Sequence, residues 1–100
     1  MAIRITRSTG NVFEDVGFPR AEAAHLLIRT DLMLQVSQII EKRGLTQRAA
    51  AAALGVTQPR VSDLVRGRVE LFSIDTLVEM LSRLGVSVTV RTARRRGRVA

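Results

Sequence analysis

The sequence predicts an all-α domain closed by a short C-terminal β-strand, and three observations predict it. Apolar residues recur at helical spacing in four segments between Pro19 and Leu84. A glycine follows each segment, at 44, 55, 67 and 85, where a helix commonly stops. Beyond Gly85 the period changes to strict alternation, with Val86, Val88 and Val90 separated by Ser87 and Thr89.

Residues 1–18 read as an N-terminal arm. Ile3 and Ile5 alternate with Arg4 and Thr6, a weak strand signal, and Ser8 to Asn11 form a turn-rich break. Val12, Phe13, Val16 and Phe18 follow, interleaved with acidic residues and Gly17. The chain has three Phe and no Trp or Tyr, so this cluster is expected to dock on the next helix rather than stand in water.

The helix-turn-helix domain is expected over residues 19–85. Pro19 suits the first turn of a long helix, with Glu22 near the positive end of its dipole. Its stripe is Ile28, Leu32, Val36, Ile39 and Ile40, with a kink or division expected near Thr30-Asp31. Thr46 caps a second, short helix that is almost entirely Ala through Leu54. Thr57 caps a third, with Pro59 in its first turn and Val61, Leu64 and Val65 as its buried face. Ser73 opens a fourth, where Phe72 can staple to Leu77. Its stripe is Ile74, Leu77, Val78, Leu81 and Leu84. The strand over residues 86–91 needs a hydrogen-bonding partner. The favoured one is the same strand of a second protomer, with Val86, Val88 and Val90 as the dimerisation residues. The alternative is the Ile3–Ile5 segment. Residues 92–100 have no core-forming pattern and read as a basic tail.

Composition bounds the function. One hundred residues, 46% of them hydrophobic, suit one packed domain. There is no Cys for a disulfide or thiolate metal site, and no apolar run approaches the roughly 20 residues of a membrane span. The first ten residues lack a secretory apolar core, so a cytoplasmic location is expected. Net charge is +7 and uneven: residues 1–43 carry six basic against five acidic side chains, and residues 44–100 ten against four. Nearly all the cations are Arg, which suits phosphate and bidentate contacts. A basic half points to a polyanionic partner, although a solvated Arg-rich surface has the same composition. One His and no framed carboxylate pair, Gly-rich phosphate loop or metal-ligand spacing leave no support for an enzyme, and no cofactor is expected.

Two short helices joined by a tight Gly-containing turn describe a helix-turn-helix: TQRAAAAAL, then GVT, then QPRVSDLVR. The helices cross closely, so the first needs small inward residues, assigned to Ala49, Ala50 and Ala53. Val56, Val61 and Leu64 anchor the second from beneath. Gln58, Arg60, Ser62, Asp63 and Arg66 are then free to point outward. A helix of this size fits the major groove of duplex DNA, where Gln pairs with adenine and Arg with guanine. A generic helical hairpin has the same spacing; the basic asymmetry tips the reading toward DNA.

The segment GLTQRAAAAALGVTQPRVSDLVRG resembles the Xre class, whose fold is that of λ repressor and Cro. With NVFEDVGF before it and FSIDTLVEMLSRLG and an alternating Val strand after it, residues 11–91 resemble a subgroup rich in HigA-like antitoxins. The resemblance implies a λ-repressor-like bundle that binds a double-stranded DNA operator as a homodimer and represses transcription. It further implies a type II toxin–antitoxin role, with a RelE/HigB-like toxin as partner. By position it implies that Gln47 bonds a DNA phosphate, that Gln58 reads a base edge and that Arg60 and Ser62 lie along the groove. Arg66 matches a phosphate-contacting position, and Thr57 and Arg68 flank the same segment. Pro59 departs from the usual polar residue and suits contact with a thymine methyl. Two other readings stand beside this one: an Xre regulator without a toxin, and a helical adaptor that does not bind DNA.

Overall fold

The computed structural model describes residues 2–6 and 12–94. The elements run β1 (Ala2–Thr6), α1 (Val12–Asp15), α2 (Arg20–Lys42), α3 (Gln47–Leu54), α4 (Gln58–Val65), a 3-10 turn (Val69–Leu71), α5 (Ile74–Arg83) and β2 (Ser87–Arg91). The architecture is the expected all-α helix-turn-helix bundle with a C-terminal strand. The expected turn at Ser8–Asn11 and the tail from residue 95 onward lie outside the described residues.

Helix α2 is the spine. It runs unbroken for 23 residues, so the expected division near Thr30-Asp31 does not occur. Leu32, Val36, Ile39 and Ile40 are buried as their spacing requires, joined by Ala23 and Met33. They pack against Leu77, Met80 and Leu81 of α5 and against Phe72, which is 1% exposed. Val78, assigned to the inner stripe of α5, is instead exposed, and Met80 takes the inward position. The two helices are also tied at their ends, where Arg43 Nη2 donates to the Leu84 carbonyl at 2.9 Å.

Local chemistry sets the boundaries. Thr46 Oγ1 accepts from the Ala49 N–H at 3.1 Å, and Ser73 Oγ accepts from the Thr76 N–H at 3.1 Å, so α3 and α5 start on side-chain caps. Thr57 holds the cap position of α4 but makes no side-chain capping bond. The arm docks only in part: α1 packs on α2, and the Phe13 and Phe18 rings meet edge to face at 6.1 Å, but Val16 and Phe18 stay 67% and 40% exposed, against the expectation that the cluster would be withdrawn from water.

Within the chain, β2 takes the alternative partner, the Ile3–Ile5 segment. One edge of β2 is filled by β1 of the same chain, in parallel, with Ile3 opposite Val88 and Ile5 opposite Val90. A parallel pair needs a long crossover, and the whole helical bundle supplies it. An intramolecular partner also needs no association entropy, which a second protomer would have to overcome. Val86 is 3% exposed and Val88 is half-buried against the core, whereas Val90 is 67% exposed.

Asp31 is half-buried in the middle of α2, and burial raises its pKa above the usual carboxylate value. The raised folded-state pKa means that ionised Asp31 opposes folding, with the cost absent below its unfolded pKa near 4 and fully present above its folded one. Asp31→Asn should therefore raise the melting temperature at pH 7, with the gain fading as pH falls toward 4. Thermal melts of both proteins at the two pH values check this; a loss of stability at pH 7 would contradict it.

Candidate nucleic-acid interface

The turn between α3 and α4 depends on one backbone conformation. Gly55 adopts φ +69°, the left-handed region in which glycine carries no Cβ penalty. A Cβ there would also lie 2.8 Å from Arg83 Nη1. The Val56 N–H donates back to the Ala51 carbonyl at 3.0 Å, closing α3, and Thr57 then starts α4.

Close approach of the two helices is made by Ala50 and Ala51, 0% and 8% exposed, with Leu54 beside them. This corrects the inner-face assignment: Ala49 and Ala53 are exposed. Leu54 sets the phase, because the positions four and three residues before it are Ala50 and Ala51. Val61 and Leu64, at 0% and 1% exposure, hold α4 down on the bundle. Val65 does not join them and is 44% exposed.

With that face fixed, the opposite side of the motif is polar. Gln47, Thr57, Gln58, Pro59, Arg66 and Arg68 are exposed, and Ser62 and Asp63 are half-buried. Arg48, exposed beside Gln47, adds a cation that the motif reading did not single out. Arg68 Nε lies 3.8 Å from Asp63 Oδ1, a solvent-screened pair of small energetic weight. Pro59 brings no N–H, so α4 offers one amide donor fewer to a phosphate at its N-terminus.

Arg60 stands apart. Its guanidinium lies 4.0 Å from the centroid of the Phe72 ring, and Nη1 donates to the Leu71 carbonyl at 3.0 Å. It therefore straps α4 to the end of the 3-10 turn and to Phe72 just after it, and reaching a base would require it to leave both contacts. Sequence spacing placed Arg60 with the outward residues because the position of Phe72 beneath it is a tertiary fact.

Among the described residues no group of three or more His, Asp or Glu side chains could hold a metal ion. No described helix is long and apolar enough to cross a membrane.

Comparison with known proteins agrees with this geometry. The family described as "Helix-turn-helix domain" (HTH_37) matches residues 12–93. A solved structure named "Putative XRE Family Transcriptional Regulator" superposes with a TM-score of 0.67 at 33% identity, covering 82% of this chain and 99% of that one. No curated protein matches the chain.

The Arg60 contacts generate a prediction about stability rather than affinity. Arg60→Ala should destabilise the fold by about 1 kcal/mol, the typical scale of a partly exposed cation–π contact with a modest hydrogen bond. In a double-mutant cycle with Phe72→Leu the losses should be non-additive. Denaturant unfolding of the four proteins measures this, and strict additivity would show that the two side chains do not interact.

Proposed function

The chain belongs to the HTH_37 helix-turn-helix family and to the Xre family, and from that premise we propose that it is an operator-binding repressor that acts as a dimer through α4. It is a DNA-binding transcriptional regulator by family. The observation that carries the finer reading is the exposed polar edge from Gln58 to Arg68, held over a buried Val61 and Leu64 anchor in the more basic half of the chain. Gln58 begins α4 and is placed to read a base edge, with Pro59 suited to a thymine methyl and Ser62 further along the groove. Gln47, Thr57, Arg66 and Arg68 supply phosphate contacts around it. An adaptor needs an exposed apolar surface on this face, and apart from Pro59 and Val65 the exposed residues there are polar.

The biological role proposed is antitoxin of a type II module, repressing its own operon in the cytoplasm and binding a RelE/HigB-like toxin. Its support is the sequence pattern over residues 11–91. The net charge of +7 favours a second reading, a regulator without a toxin, because a basic toxin would be repelled by so basic a partner. The gene adjacent to this one separates the two: a small RelE-like reading frame there supports the antitoxin, and its absence supports the regulator.

DNA recognition is tested on a duplex selected by this protein from a random pool. Affinity should fall steeply with salt, as phosphate neutralisation releases counterions. Arg66→Ala should weaken all sequences alike and lower the slope of log K against log salt by about one unit. Gln58→Ala should instead cost roughly 1–3 kcal/mol on the selected sequence and relax the preference at one base pair. Wild-type titrations from both variants would place the recognition surface elsewhere.

A further inference from the structure

We propose that the open edge of β2 is the protomer–protomer contact: β2 pairs antiparallel with β2 of a second copy, in a register centred on Thr89. The result is one four-stranded sheet, ordered β1–β2–β2–β1 across a two-fold axis. The proposal deepens the dimeric reading above, and its test needs no DNA.

The first argument is hydrogen bonding. The sheet has two strands, β1 and β2, so among the described residues nothing pairs with the second edge of β2. A two-stranded sheet is marginal alone, and a parallel pair is slightly weaker per residue than an antiparallel one. Strands that must stay unpaired are blunted by proline, bulges or inward charges. This one has no proline, no bulge and no charge on its Val face: Ser87, Val88, Thr89 and Val90 are uncharged, three of them are β-branched, Arg91 on the opposite face ends the strand, and the register with β1 is unbroken. In a chain of net charge +7, copies repel one another, and the uncharged run from Ser87 to Val90 is where they can approach.

The second argument is apolar surface. Val86, Val88 and Val90 share one face of the strand, and their exposure rises from 3% at Val86 to 67% at Val90. Val90 extends past the core of its own protomer. Opposed residues in an antiparallel pair share a face, so an even-numbered residue must meet an even-numbered one. Centring on Thr89 satisfies this with all five residues paired. Val90 then lies opposite Val88 of the second copy, at the margin of that copy's core, and Arg91 lies opposite Ser87. Sliding the centre to residue 91 would oppose two Arg91 side chains and leave Val88 without an apolar partner.

The register is testable because the chain has no Cys. In the proposed pairing the two Thr89 Cα atoms are about 4.5–5.5 Å apart, within disulfide range. The two Ser87 Cα atoms are about 13 Å apart, four residues along the ladder, and out of range. Under mild oxidation Thr89→Cys should run as a crosslinked dimer and Ser87→Cys as a monomer. Failure of Thr89→Cys to crosslink, or equal crosslinking of Ser87→Cys, overturns the register. Val90→Lys changes an exposed side chain and should leave the circular dichroism spectrum unaltered. In sedimentation it should raise the dimer dissociation constant at least tenfold; an unchanged constant overturns the interface. A Thr89→Cys dimer that forms but binds no DNA would defeat the repressor reading and leave this one standing.

Discussion

An eight-residue helix has no appreciable stability of its own in water, because the cost of nucleating it exceeds what two turns of hydrogen bonds return. Helix α4 is such a helix, and everything proposed for its outer face depends on the two side chains that hold its inner one. Val61 and Leu64 are buried against a core that includes Phe72, Leu54 and the α2 stripe. Truncating Leu64 to Ala would remove a side chain that is 1% exposed, a change that costs roughly 2–5 kcal/mol in close-packed cores. Loss of that anchor would release Gln58, Ser62 and Arg66 from any common orientation.

The remaining elements make this anchorage rigid. Ala50 and Ala51 bring α3 close enough to buttress α4, and the left-handed Gly55 turns the chain within three residues. Arg60 fastens α4 from the other side, through Phe72 and the Leu71 carbonyl. Arg29, on the spine helix, reaches the Val69 carbonyl in the same segment at 3.4 Å. The presented face is therefore set by contacts made behind it, which leaves its own side chains available for a polyanion. The excess of basic residues in that half gives it a positive field that favours a polyanionic partner.

Much of this was legible in the sequence, for physical reasons that also explain where legibility ended. Glycines 44, 55, 67 and 85 and the hydroxyl caps Thr46 and Ser73 act on their own backbone neighbours, so helix boundaries could be read locally. The α2 stripe was visible because Leu and Ile contrast with their polar neighbours. In α3 there is no such contrast: five consecutive Ala residues carry no phase, and only Leu54 distinguishes one rotation of the helix from another. Val65 satisfied the helical period yet stayed exposed, since α4 ends at its last turn where the bundle no longer covers it. The β1–β2 pairing joins residues some 85 positions apart, and no local pattern encodes which of two possible partners a strand will take. The second role of Arg60 was hidden for the same reason.

The central claim is that α4 and its flanks form the surface that meets DNA. Backbone amide shifts, followed by NMR as the selected duplex is titrated in, test it most directly. The account predicts that the largest changes fall at Gln47, over residues 57–62 and at Arg66, with α5 and the core of α2 little affected. Changes concentrated on α2 or on the sheet, with α4 unmoved, would contradict it.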